Sequence, residues 1–119
     1  MYEITKEFKF SAGHFLGGLP ATHQCSRQHG HNYVVELVLQ SHDVNSIGFI
    51  VDYGDLVGFK QMIDSTLDHR NLNDILHVNP TAENLAFYLC ERTNEFWWKE
   101  YVAAVKVKET DGTSAVYYK

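Results

Sequence analysis

The chain opens on an alternation. Tyr2, Ile4, Lys6, Phe8 and Phe10 fall on one, mostly apolar face, with Glu3, Thr5, Glu7 and Lys9 on the other. That period of two predicts a half-buried strand over 2–10. Residues 11–30 hold Gly13, Gly17, Gly18, Pro20 and Gly30 and read as a long irregular loop, a kind of segment that carries function in compact domains. Alternation returns over 31–40, where Tyr33, Val35, Leu37 and Leu39 share a face. The spacing then becomes helical. Leu56, Phe59, Ile63 and Leu67 predict a helix over about 53–66, with Asp52 as its N-cap and Asp55 three residues on. "LDHRNLNDILHVNP" reads as a connection. Thr81 opens a second helix whose apolar stripe is Ala82, Leu85, Ala86, Leu89 and Phe96. A third strand over 102–109, an Asp111-Gly112 turn and a fourth strand "SAVYY" close the pattern.

The order β-β-α-α-β-β predicts an α+β fold: a four-stranded antiparallel sheet with two helices on one face, forming a single domain over residues 1–119. Four short strands leave two open edges, which invite pairing with another subunit.

Composition narrows the function. Hydrophobic residues make up 45% and aromatics 13%, a globular balance. The net charge is −5 and no basic stretch interleaves with aromatics, which argues against a general nucleic-acid or anionic-membrane binder. An anionic small molecule needs only a local cluster of cations. "MYEITKEFKF" lacks the apolar core of a signal peptide, and the two cysteines, Cys25 and Cys90, make no disulfide framework. The cytoplasm is the expected compartment.

The chemistry concentrates in "CSRQHGHNY". His29 and His31 are two apart, so in an extended segment both imidazoles point one way. If the first two strands pair as a hairpin, His14 in "FSAGH" comes to the same end. Three neutral histidines with an open fourth position are the donor set of a catalytic zinc. Cys25 has two readings. It completes a closed structural site with His23, His29 and His31, or it stays free beside the metal as a thiolate base or nucleophile. Asp68 next to His69 is either a turn residue beside a helix-terminal histidine or a carboxylate that fixes an imidazole. Glu109 shares a face with Val105 and Val107, so its carboxylate needs a partner. That partner is a structural group or the paired N–H edge of a guanidine-like heterocycle.

Taken together, "FSAGH", "CSRQHGHNY", "GFIVDYGDL", "LDHRNLND", "NPTAEN" and "VKET" resemble the 6-pyruvoyl-tetrahydropterin synthase family of T-fold enzymes, from about residue 8 to about 110. Three residues separate Cys25 from His29, as in the family's queuosine-pathway branch. The folate-pathway branch has a glutamate in place of the thiol. "AGH" and "ETDGTSAVY" depart from the family's usual pattern, the second in a way that bears on the pocket wall.

The resemblance implies zinc on His14, His29 and His31, with Cys25 beside the metal as the catalytic thiol. It implies Asp68 and His69 as proton-transfer partners and Glu109 as the anchor of a pterin ring. Thr81 and Glu83 would line the pterin pocket, often across a subunit boundary. The implied substrate is 7,8-dihydroneopterin triphosphate. Its conversion in this branch gives 6-carboxy-5,6,7,8-tetrahydropterin, acetaldehyde and triphosphate, and the pyruvoyl product is the alternative on the same fold. A non-catalytic, zinc-stabilised module with Cys25 as fourth ligand is the reading from another class. Of the cations Arg27, Lys6, Lys9, Lys106 and Lys108, Arg27 lies nearest the metal site in sequence and is the candidate for the triphosphate. A homohexamer built from two trimers is the implied assembly. Cys90, Trp97 and Trp98 read as packing or interface residues, and His42 and His77 as exposed turn residues.

Overall fold

The computed structural model describes all residues, 1–119. Strands β1 (Tyr2–His14), β2 (His29–Ser41), β3 (Val102–Lys108) and β4 (Ala115–Tyr118) form one sheet in the order β1-β2-β3-β4. Every neighbouring pair is antiparallel. Helices α1 (Val57–Thr66) and α2 (Ala82–Arg92) supply the second layer. Between the layers Phe8, Phe10, Tyr33, Val35, Leu37 and Leu39 meet Leu56, Phe59, Ile63, Leu85 and Leu89 in one buried cluster. The alternation along β1 and β2 decides which face enters that core. None of the helices is long and apolar enough to cross a membrane.

Several boundaries differ from the sequence expectation. β1 does not stop at residue 10 but runs to His14, and β2 begins at His29, so the irregular segment is 15–28. Two of the glycines that suggested a loop sit opposite each other in the ladder, Gly13 facing Gly30. At Gly13 a Cβ would meet Gln28 Nε2, the movable end of a side chain, at 2.8 Å and His29 O at 3.3 Å. Asp52 does cap a turn, accepting from Gly54 N at 2.9 Å, but the turn is the 3₁₀ segment Tyr53–Leu56, and α1 starts only at Val57. Helix α2 ends at Arg92, so Phe96 lies outside it and stacks on Trp98 at 4.8 Å. Trp98 is buried, whereas Trp97 is 65% exposed. Gly112 supplies the positive φ of the β3–β4 turn.

One sheet edge is less open than four strands suggest. Beyond Lys9 the outer edge of β1 is occupied. Lys60 Nζ donates to Lys9 O, His69 N to Ser11 O, and Gly13 N to Arg70 O. Gly13 and Asn71 also form a parallel bridge.

Phe59 is fully buried and its ring contacts Phe8, Phe96 and Trp98. Phe59→Ala is expected to cost about 3–5 kcal/mol of stability, read as a lower denaturant midpoint with an unchanged slope.

Candidate metal centre

The pairing of β1 with β2 places His14 directly opposite His29, with Ala12 opposite His31. All three imidazoles project to the core side of the sheet end, and their ligand atoms lie within 4.8 Å of one another. His14 is fully buried. Its Nδ1–H donates to Pro80 O at 2.7 Å, and His29 Nδ1–H donates to Arg27 O at 2.7 Å. A carbonyl only accepts, so both neutral rings carry their proton on Nδ1 and turn the Nε2 lone pair inward. Those two Nε2 atoms are 3.0 Å apart. Two lone pairs at that separation need a positive charge beside them. The third Nε2, on His31, is buried and makes no hydrogen bond. Glu109 Oε1 is 3.3 Å from it but not aligned to accept.

One proton would satisfy one pair of these atoms, whereas a metal ion serves all three. Two tetrahedral nitrogen ligands at about 2.0–2.1 Å from zinc are about 3.3 Å apart, close to the His14–His29 separation. The donor set therefore fits a metal ion. Burial lowers the His31 pKa, Glu109 opposes that shift, and His14 and His29 add to it. The net effect favours the neutral, ligating imidazole. Burial, with Glu109 adding, pushes the Tyr33 phenol up, so the hydroxyl 3.4 Å from His14 Nδ1 stays protonated.

Cys25 and His23 do not join the cluster. Cys25 sits in the turn Gln24–Ser26, half-buried and free of any disulfide, with its N–H donating to His23 Nδ1 at 3.0 Å. The closed four-ligand site therefore lacks two of its proposed members.

Asp68 and His69 follow α1 and lie against β1. Ser11 N donates to Asp68 Oδ1 at 2.9 Å, and His69 Nδ1 is 2.9 Å from Asp68 Oδ2. His69 has φ 57°, the one non-glycine residue in the left-handed region, and its side chain is 82% exposed. Its N–H to Ser11 O at 2.6 Å and its contact with Asp68 hold that conformation. The Ser11 N–H, then His69, keep the Asp68 carboxyl below its ordinary range.

Glu109 follows β3 and, as its face predicted, turns toward the buried side, where its neighbour is His31. Thr81 caps α2 by accepting from Asn84 N at 3.1 Å. Thr81, Glu83, Glu109 and Leu16 line one cleft of about 530 Å³ with the β3–β4 turn. The Arg27 side chain is exposed and does not line that cleft. Of the other cations, Lys9 borders a cleft of about 840 Å³ with His31, Asp68 and Glu109, and Lys108 lies 3.9 Å from Asp111. Lys6 lines a separate cleft with Tyr53 and Lys60, and Lys106 faces the open side of the sheet beside Glu36. Cys90 is buried in α2, and burial raises its thiol pKa.

Arg70 was not anticipated. It shares a polar cleft of about 420 Å³ with Ser11, Gly13, Asn32, His31 and His69. Ser11, Tyr33, Pro80, Asn73 and Asn79 also went unread, because their roles are hydrogen bonds between segments far apart in sequence.

A four-stranded sheet backed by two helices, with three converging histidines at the paired strand ends, defines a T-fold domain with a candidate metal centre. The family model for 6-pyruvoyl tetrahydropterin synthase matches residues 3–119. The 6-carboxy-5,6,7,8-tetrahydropterin synthase of Rickettsia typhi is 30% identical over 86% of this chain and 85% of its own length. The 6-pyruvoyl tetrahydrobiopterin synthase of Dictyostelium discoideum is 30% identical over 79% of this chain and 73% of its own. The solved structure of Caenorhabditis elegans 6-pyruvoyl tetrahydropterin synthase superposes with a TM-score of 0.88 at 25% identity, covering 99% of this chain and 95% of that one. The chain belongs to the 6-pyruvoyl tetrahydropterin synthase family.

Two outcomes are expected. His14→Ala removes one of the three candidate ligands and its anchor at Pro80, so metal taken up by the folded protein is expected to fall toward none by elemental analysis. A depressed carboxyl pKa means that the Asp68–Ser11 contact is complete above the ordinary Asp range and is lost as pH falls through the lowered value. An NMR titration should show the Ser11 amide shifting with a midpoint below that of a free aspartate, and Asp68→Asn should abolish the shift.

Proposed function

We propose that this protein is a zinc-dependent lyase. It converts 7,8-dihydroneopterin triphosphate to 6-carboxy-5,6,7,8-tetrahydropterin, releasing acetaldehyde and triphosphate, as a step of queuosine biosynthesis. The observation that carries the reading is the set of three inward-facing imidazole nitrogens with the Glu109 carboxylate at 3.3 Å from one of them. That pairs a metal site with a receptor for two parallel N–H groups.

His14, His29 and His31 would hold the zinc ion, which when bound supplies a Lewis acid for the substrate's side-chain hydroxyls. Glu109 accepts from the 2-amino and N3–H edge, which rejects rings lacking those donors. Thr81 and Glu83 line the ring's cleft. Cys25, outside the ligand set, is free to take the proton from the carbon next to the ring. His69, oriented by Asp68, returns or relays protons. Arg27 receives part of the triphosphate. A homohexamer of two trimers would pair through the uncovered stretch of β1 before Lys9 and through β4. The reaction is placed in the cytoplasm.

Support for the carboxy product comes from the relative in Rickettsia and from the three-residue spacing between Cys25 and His29. The relative in Dictyostelium keeps the pyruvoyl product as the second reading.

The deciding experiment incubates zinc-loaded protein with 7,8-dihydroneopterin triphosphate and identifies products by mass spectrometry. The carboxylated pterin with acetaldehyde is expected. A pyruvoyl pterin would move the reaction to the second reading, and no turnover by folded, metal-loaded protein would overturn the lyase. Cys25→Ala is expected to stay folded and metal-loaded while kcat falls by about 10²–10⁴-fold. Loss of metal in that variant would instead make Cys25 a ligand and the protein a zinc-stabilised module.

A further inference from the structure

The segment that carries Cys25 has no core of its own. Residues 15–28 are exposed or half-buried throughout. Hydrogen bonds that reach residues 15–25 from outside the segment come from two side chains, both asparagines. Asn73 Oδ1 accepts from Phe15 N at 2.9 Å, and its Nδ2 donates to Phe15 O at 3.0 Å. Asn79 does the same at Gly17, accepting at 2.9 Å and donating at 2.8 Å. Each amide thus pairs with one residue's N–H and C=O together, as a neighbouring strand would.

Between the two clamped residues, Leu16 N crosses the loop to Cys25 O at 2.8 Å. The clamped stretch therefore holds the cysteine's own backbone, starting one residue after His14. The clamps are themselves anchored. Asn79 O accepts from Thr81 N and from Asn84 Nδ2, each at 2.8 Å, which ties it to the start of α2. Asn73 N donates to Asn71 Oδ1 at 3.2 Å.

We propose that Asn73 and Asn79 are positioning residues that fix where Cys25 sits relative to the three-histidine centre. The inference rests on the reading of Cys25 as the group that takes the substrate proton. An isosteric carboxylate cannot replace either amide, because its second oxygen would face a carbonyl oxygen.

The test compares wild type with Asn73→Ala, Asn79→Ala and the same-sized Asn73→Asp and Asn79→Asp. Amide hydrogen exchange at residues 15–17 and 24–26 is expected to quicken about tenfold in each variant, with β2 unchanged. In the product assay kcat should fall at least tenfold, with KM within twofold and metal still at one per chain. The Asp variants should behave like the Ala variants, which excludes lost packing as the cause. Unchanged exchange, or faster exchange with unchanged kcat, would overturn the proposal.

Should wild type itself turn over no pterin, the proposed function fails, and the positioning role is read from the thiol alone. Iodoacetamide alkylation of Cys25 would then be timed with and without zinc, buried Cys90 serving as the internal control. A zinc effect present in wild type and absent in the variants supports the clamp. A zinc effect that is equal in all, or absent from wild type, overturns it.

Discussion

The site depends on the way residues 68–81 lie along the end of β1. An edge strand presents a row of N–H and C=O groups that must be satisfied. Here the connection between the helices does it. Ser11 gives its N–H to Asp68 and its C=O to His69, and Gly13 gives its N–H to Arg70. Asn73 and Asn79 continue the pairing onto Phe15 and Gly17, and Pro80 O fixes the His14 ring. One connection therefore orders the Asp68–His69 pair, the buried His14 ring and the base of the cysteine loop. Asp68 and His69 lie about fifty residues from His14 and the base of the cysteine loop, which are adjacent in the chain.

The same connection links folding to metal binding. His14 is fully buried, and Pro80 determines which of its nitrogens carries the proton. Arg27 O does the same for His29. The inward nitrogens are thereby left as acceptors facing one another, an arrangement that costs free energy until a cation is present. The centre is preorganised for metal at the expense of the metal-free state, and binding should stabilise the fold accordingly.

Much of this was legible in the chain. Period-two and helical spacing placed every main element, and the His-x-His pair predicted two ligands on one face. The ends of β1 and β2 were not legible, because Gly13 and Gly30 carry the composition of a turn while pairing opposite each other in the ladder. Phe96 kept helical spacing after the helix had ended, since stacking on Trp98 asks only for an apolar ring. The asparagines of "NLND" and "NP" read as loop formers. Their task is set by Phe15 and Gly17, more than fifty residues away, and no local pattern encodes such a partner. Glu109 was legible only as a carboxylate on an apolar face. Its neighbour, His31, required the register of β2 against β3.

The site combines two grades of rigidity. The histidines are set by a strand ladder and a buried core, so their positions carry the stability of the whole domain. Cys25 lies on a half-buried or exposed segment that hydrogen bonds alone hold, and the exposed His69 is set by hydrogen bonds within a connection that buried Leu67, Leu72 and Leu76 anchor to the core. Each such bond contributes only about 1 kcal/mol net, and less where water competes. No single one could keep either side chain in place. The structure answers with redundancy: two arms from each asparagine, two backbone bonds at Ser11, and a cross-loop bond at Cys25. A metal ligand must hold its position for the life of the protein, whereas Cys25 and His69, in the proton-transfer roles proposed for them, need access to substrate. Mounting them on hydrogen-bonded surface segments, fastened to the rigid strand beside the metal, meets both requirements within one small sheet.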